Sequence, residues 1–304
     1  MPLMTVRHRT LYRYSAPVTL GPQRLVLRPR DGHDLRVLDS TLVVEPAAVS
    51  TRWLYDVYDN AIAVLEFAGS SSQLLIESRL LLDHFGLDEP AFAVESYAQT
   101  WPFMYRPEEW IDLELWTGRQ WSDPEGRLQR WVRELTLDKI ELPTQELLVA
   151  MMTRIKTELP YNVRHEEGVQ PPLQTLAEGG SCRDFATLMA EAVRTLGFAA
   201  RFVSGYLHVP PPEVDAAGHV GGGATHAWVQ VYLPGAGWVE FDPTNALYGG
   251  KDLVRVAIAR DPAAVSPVNG SFTGPAGVTA ALEVDVAVDK LDRPATTLTE
   301  AGLG

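Results

Sequence analysis

A chain of 304 residues that is 46% apolar and 21% charged can bury enough surface to offset its conformational entropy, which excludes a disordered chain. Its 24 glycines follow no triplet period and its single cysteine can close no internal bridge, so collagen-like and disulfide-stapled scaffolds are excluded as well. With 39 acidic against 26 basic side chains the net charge is −13, which argues against nucleic acid and anionic membrane surfaces as partners. No run approaches the about 18 apolar residues of a membrane helix. The alternating start MPLMTVRHRTLYRYS is unlike an export signal, so a two-domain cytoplasmic protein is expected.

Residues 5–14, 23–29, 35–45, 50–58, 61–68 and 72–84 are short, alternating and rich in β-branched or aromatic side chains. Gly, Pro, Asp and Asn punctuate them, as in Tyr58-Asp59-Asn60. They predict a β-sandwich-like N-terminal domain over 1–85. A Trp- and Pro-rich irregular stretch follows, in which Trp101, Trp110, Trp116 and Trp121 are expected as packing anchors. Helices are expected over 127–135 and 144–158, the first closing a connector that spans 86–143. Residues 144–291 are read as the core, including late strands over 253–259 and 278–288, and 292–304 as a frayed tail.

The cysteine lies in Gly179-Gly180-Ser181-Cys182-Arg183-Asp184-Phe185. Beyond it Phe185, Leu188, Met189, Ala192, Val193 and Leu196 share one helical face, and Gly197 supplies the stop. Cys182 thus begins a helix, where free N–H groups and the dipole favour a thiolate. From position alone, a nucleophile and a small buried side chain remain equally open.

A nucleophilic thiol requires a base, and the base an orienting group. His226, Trp228, Gln230 and Tyr232 alternate along one strand, Pro234 to Gly237 form a turn, and Trp238–Asp242 form a second strand. A two-residue loop would turn Asp242 away from His226. A three-residue loop pairing Leu233 with Gly237 sets Asp242 opposite Trp228, diagonal to His226 on the same face. The chemistry therefore demands an odd loop or a bulge, and Gly237 can supply the positive φ such a loop needs.

Four segments carry a family resemblance: Gly180–Ala186, Gly197–Leu207, Thr225–Trp228 and Trp238–Asn245. They resemble the bacterial transglutaminase-like family, whose members are often given as candidate cysteine proteases. Tyr12–Val18, Pro22–Leu25 and Asp56–Asn60 resemble the β-domain that accompanies this core. The resemblance implies an α+β, papain-like fold with the cysteine helix packed on an antiparallel sheet. It also implies Cys182 as nucleophile, His226 as general base and Asp242 as orienting carboxylate. Animal transglutaminases carry tryptophan after the nucleophile and use calcium. Arg183 stands there instead, and no calcium-loop spacing occurs, so the resemblance transfers neither calcium dependence nor cross-linking as the default reaction.

Other motifs carry less. Gly221-Gly222-Gly223 lacks the flanking strand and helix of a nucleotide site and belongs to a loop, 208–224, able to cover the site. His208, His219 and His226 straddle that loop, so no metal and no cofactor is expected. Asp184 in the first helical turn is read as structural. No G-x-S-x-G is present, which sets aside a serine hydrolase.

The expected activity is thiol attack on a peptide or protein amide carbonyl through an acyl-enzyme, resolved by water. An amine acceptor and a catalytically silent binding module on the same fold are the alternatives. The Cys182 N–H is one expected oxyanion donor and Tyr161 the candidate second. The N-terminal domain is expected to do no chemistry and to dock rigidly on the core.

Overall fold

The computed structural model describes residues 3–86, 92–136, 141–210 and 219–291. The tail at 292–304 lies outside the described residues. The N-terminal strands are β1 (Leu3–Arg28), β2 (Leu35–Glu45), β3 (Ser50–Tyr55), β4 (Ala61–Glu66) and β5 (Ser71–His84). The two strands expected over 5–14 and 23–29 are one, 26 residues long. Pro17 and Pro22 look like breaks in the sequence. They fall inside two of the three register irregularities of β1, between Arg13 and Val18 and between Leu20 and Gln23, where a missing N–H breaks no ladder. The first half of β1 pairs with β5, its second half with β4, and the strand carries the chain from one layer to the other.

Residues 92–136 are more regular than expected. A 3-10 turn (Ser96–Ala98) and the two-residue β6 (Thr100–Trp101) lead into α1 (Pro107–Thr117), where an irregular connector had been read. Its start signals are Pro107 in the first turn and Glu109, whose carboxylate accepts from the Arg106 N–H at 3.2 Å. Then come α2 (Arg127–Thr136), β7 (Leu142–Pro143), which pairs with β6, and α3 (Thr144–Glu158). The short α4 (Pro172–Glu178), which the sequence reading missed, precedes α5 (Cys182–Thr195).

The core sheet contains β8 (Ala200–Leu207), β9 (His226–Leu233), β10 (Gly237–Asp242), β11 (Leu247–Tyr248) and β12 (Leu253–Ala259), in the order β11-β10-β9-β8-β12 and antiparallel throughout. Ala227, Val229, Val231 and Leu233 of β9 pack with Phe185, Leu188, Met189 and Ala192 of α5. This is the α+β, helix-on-sheet arrangement expected. The polar side of α5 is buried too. The segment after α1 covers it: Glu191 accepts from the Gln120 and Trp121 N–H groups, and Arg194 donates to the Trp116 and Ala200 carbonyls. The buried charges of Glu191 and Arg194 are thereby hydrogen-bonded.

The last strands, β13 (Val268–Thr273) and β14 (Ala280–Leu291), correct the domain reading. They had been placed in the core, 144–291. Both pair with β1 instead, β14 over twelve residues from Leu3↔Leu291 to Tyr14↔Ala280. One edge of β1 would otherwise stand open, and the alternating β14 closes it. The N-terminal module is therefore built from both ends of the chain.

Its docking is continuous. Met4, Val6, Leu82 and Val286 share one apolar cluster with Phe202, Tyr206 and Val254. His8 Nδ1 meets the Tyr206 hydroxyl at 3.0 Å. Asn60 makes a two-point contact with the Ile258 backbone, on the free edge of β12. Trp116 bridges Tyr58 of the first module and Trp238 of the second, whereas Trp110 stays 41% exposed and anchors nothing comparable.

Candidate active site

Ser181 caps α5, and Asp184 completes a capping box by accepting from the Ser181 N–H (2.9 Å) and hydroxyl (2.8 Å). The other Asp184 oxygen takes Arg164 at 2.7 Å and the Gln170 N–H at 2.9 Å. Asp184 is thus structural, as read, and ties the segment before the helix to its first turn. Cys182 occupies the first helical position, partly exposed, with a backbone N–H that has no intrahelical acceptor.

The hairpin pairs Leu233 with Gly237 and Val229 with Phe241, which leaves a three-residue loop. Gly237 takes φ +77°, a value that costs other residues strain. Asp242 and His226 therefore share a face, and His226 Nε2 lies 2.8 Å from Asp242 Oδ2 with both side chains wholly buried. An ionised carboxylate only accepts, so Nε2 carries the hydrogen and Nδ1 is left as the reactive nitrogen. Nδ1 is buried, and the Cys182 side chain interacts with the same ring.

Burial alone would discharge His226. The Asp242 charge and hydrogen bond, joined by Cys182, outweigh it and push the imidazole up to about 10. Asp242 moves the other way. Burial would raise it, but His226, the Asn245 amide at 2.9 Å and the Thr244 N–H at 2.9 Å hold it below the usual carboxylate range.

Tyr161 joins this group through a parallel bridge to Gly180 and an edge-on contact with Phe185. Burial first, then the neighbouring Cys182, pushes its hydroxyl up to about 12, so it stays a proton donor at neutral pH. Above the ring sits Gly221 at φ +94°. A Cβ there would stand 3.1 Å from His226 Nδ1 and 4.0 Å from the Tyr161 hydroxyl. The approach to Nδ1 is tight, and the positive φ itself favours glycine.

The sequence reading missed the group that fixes this cover. Asn245 donates to Asp242 and exchanges two hydrogen bonds with Val220, at 2.8 and 3.1 Å. In the sequence it is only the end of the Trp238–Asn245 motif, and nothing in its spacing reveals a clamp. Trp228 was also missed: it stacks on His226 with centroids 5.9 Å apart. Among the described residues, no three His, Cys, Asp or Glu side chains gather as metal ligands. His208 turns instead to Asp252.

Residues 4–83 match the family model described as the bacterial transglutaminase-like N-terminal region, and residues 130–243 that of the transglutaminase-like superfamily. The chain is 31% identical over 283 residues to the uncharacterised protein Rv2569c of Mycobacterium tuberculosis, covering 87% of this chain and 86% of that one. It belongs to the bacterial transglutaminase-like family. The uncharacterised protein ML0607 of Mycobacterium leprae is 26% identical over 291 residues, covering 94% of this chain and 97% of that one. A crystal structure named "a Putative Cysteine Protease from Cytophaga hutchinsonii" superposes with a TM-score of 0.72 at 20% identity, over 97% of this chain and 92% of that one, and shares its fold. In this transglutaminase-like protein Arg183 follows the cysteine helix start and donates to the Glu166 carbonyl, so it braces the 164–166 segment. No helix among the described residues is long and apolar enough to cross a membrane.

Proposed function

We propose that this transglutaminase-like protein is a thiol enzyme acting on peptide or protein amide carbonyls, with water as the ordinary acceptor. The observation that carries the reading is the buried His226–Asp242 pair at 2.8 Å, whose imidazole also interacts with the partly exposed Cys182 at the start of α5.

In this reading His226 already holds its second proton, on Nδ1, at neutral pH, and the Cys182 sulfur, relieved of that proton, attacks the carbonyl carbon. Asp242 holds the ring and stabilises the imidazolium without taking the proton. The oxyanion of the tetrahedral intermediate lies at the Cys182 N–H, with the Tyr161 hydroxyl as the second donor; each such donor supplies about 10²–10³ in rate. His226 then protonates the leaving nitrogen, an acyl-enzyme forms, and water attacks it.

The test is alkylation followed by turnover. Cys182 should react with iodoacetamide at pH 6 faster than free cysteine, and Cys182→Ala should keep the fold but lose turnover of a peptide library. A thiol no faster than free cysteine at pH 6 would sink the reading. Running the library with and without an added primary amine separates hydrolysis from transfer to an amine.

A further inference from the structure

One strand of the N-terminal module reaches the site. Val286 of β14 donates its N–H to the Gly223 carbonyl at 3.0 Å, and Gly223 belongs to the loop whose Gly221 covers His226. Among the described residues β14 has β1 as its ladder partner on one side, and Val286 uses the other. By the two-residue period of a strand, the N–H groups of Val284 and Leu282 point out along that same free edge.

Side chains follow the same alternation. Glu283 and Asp285 pair with Arg13 and Arg7 on one face. Leu282, Val284 and Val286 form an apolar row on the other. Val286 is 6% exposed within the module interface, while Val284 and Leu282 emerge at 40% and 55%. The row ends opposite Tyr12. The exposed part of β14 therefore runs on along the same edge from the residue that bonds the loop over His226.

We infer that the free edge of β14 is the substrate rail: an extended peptide adds to it as a further strand, placing an apolar side chain against Leu282, Val284 and Tyr12. The edge already pairs with the site's own loop at Val286, so the added strand continues an interaction the fold has begun. Backbone pairing supplies affinity for any extended chain, and the apolar row selects what lies beside the scissile amide. Folded substrates with buried backbones are excluded. This inference rests on the thiol-enzyme reading and assigns its substrate class.

Two alkylating probes test it, iodoacetamide and acetyl-Leu-Leu-Gly chloromethyl ketone, on the full chain. The wild type should react at least about tenfold faster with the peptide reagent at equal intrinsic reactivity. Val284→Pro removes an outward N–H without touching the β1 ladder, and Leu282→Glu charges an exposed position. Each should cut the peptide advantage about tenfold and leave the iodoacetamide rate unchanged. An undiminished peptide advantage in both variants, with iodoacetamide reacting normally, overturns the rail alone. Loss of the iodoacetamide reaction in the wild type takes down the thiol reading and the rail with it.

Discussion

Two carboxylates sit two residues apart on the same face of β10, and they behave oppositely. Asp242 is held below the usual carboxylate range, whereas Glu240 is pushed above it. Burial is the largest influence on both and favours the neutral acid in each. The partners decide the outcome. Asp242 touches a cation, His226, and collects two further hydrogen bonds from Asn245 and Thr244. Glu240 is hydrogen-bonded by neutral groups, Trp228 and Gln230, while its cations Arg255 and Arg201 act only through space. Arg201 spends itself on Gln230 and on the Trp238 ring, 4.1 Å away. Direct contact with a cation, rather than depth of burial, separates the proposed reacting end of this sheet from the supporting end.

The largest effect should come from Cys182→Ala, which sets the floor of the comparison. Turnover should fall to background with the unfolding midpoint unchanged, measured by peptide-library cleavage and thermal unfolding. Retained cleavage would put the chemistry elsewhere. Asp242→Asn comes next, at about 10²–10⁴-fold in kcat with a folded protein, because the ring loses its orientation and its stabilised charge while the nucleophile stays. A loss equal to that of Cys182→Ala would show that the carboxylate does more than orient.

The hairpin that makes this comparison possible was legible. Spacing left two loop lengths open, the chemistry of a His–Asp pair required an odd loop or a bulge, and Leu233↔Gly237 provides the odd loop. The cysteine helix was legible too, from the apolar period behind Cys182. What escaped was long-range. Pro17 and Pro22 read locally as breaks because nothing nearby tells that they fall in ladder irregularities of one long strand. The partner of β14 lies nearly the whole chain away, so alternation could identify a strand but not the sheet it joins. Asn245 escaped for the same reason: its role depends on Val220, 25 residues earlier across a loop.

The pH dependence of stability sharpens the comparison further. The folded-state imidazole sits at about 10 against an ordinary 6.5. A raised cation contributes stability that is fully present below about 6.5 and lost as pH climbs toward 10. The unfolding midpoint should therefore decline across that window, and Asp242→Asn should flatten the decline. An equal decline in the variant would assign it to other groups. Asn245→Ala should cost less, about ten- to hundredfold in kcat, since it removes one of the hydrogen bonds to Asp242 and frees the cover over His226. A loss confined to KM would mean that Asn245 serves the cover and not the carboxylate.

The smallest effect should be that of Glu240→Gln. A carboxyl whose folded value is raised opposes folding once pH passes its ordinary 4.5, because the native surroundings disfavour the charge it would carry. Glutamine removes that opposition and keeps one oxygen to accept from Trp228 or Gln230, at the loss of about 1 kcal/mol for the other hydrogen bond. The two changes nearly cancel at neutral pH, and the variant should gain on the wild type as pH rises from 4.5. Its kcat should stay within about threefold of wild type, since Trp228 is wedged by Val203 and Leu253 as well as by its bond to Glu240. The measurement is a paired series of unfolding midpoints and turnover numbers from pH 5 to 9. If Glu240→Gln loses as much kcat as Asp242→Asn, then the stacked Trp228 transmits its hydrogen bond to His226, and the two ends of the sheet face form one catalytic unit in place of a reacting end and a supporting one.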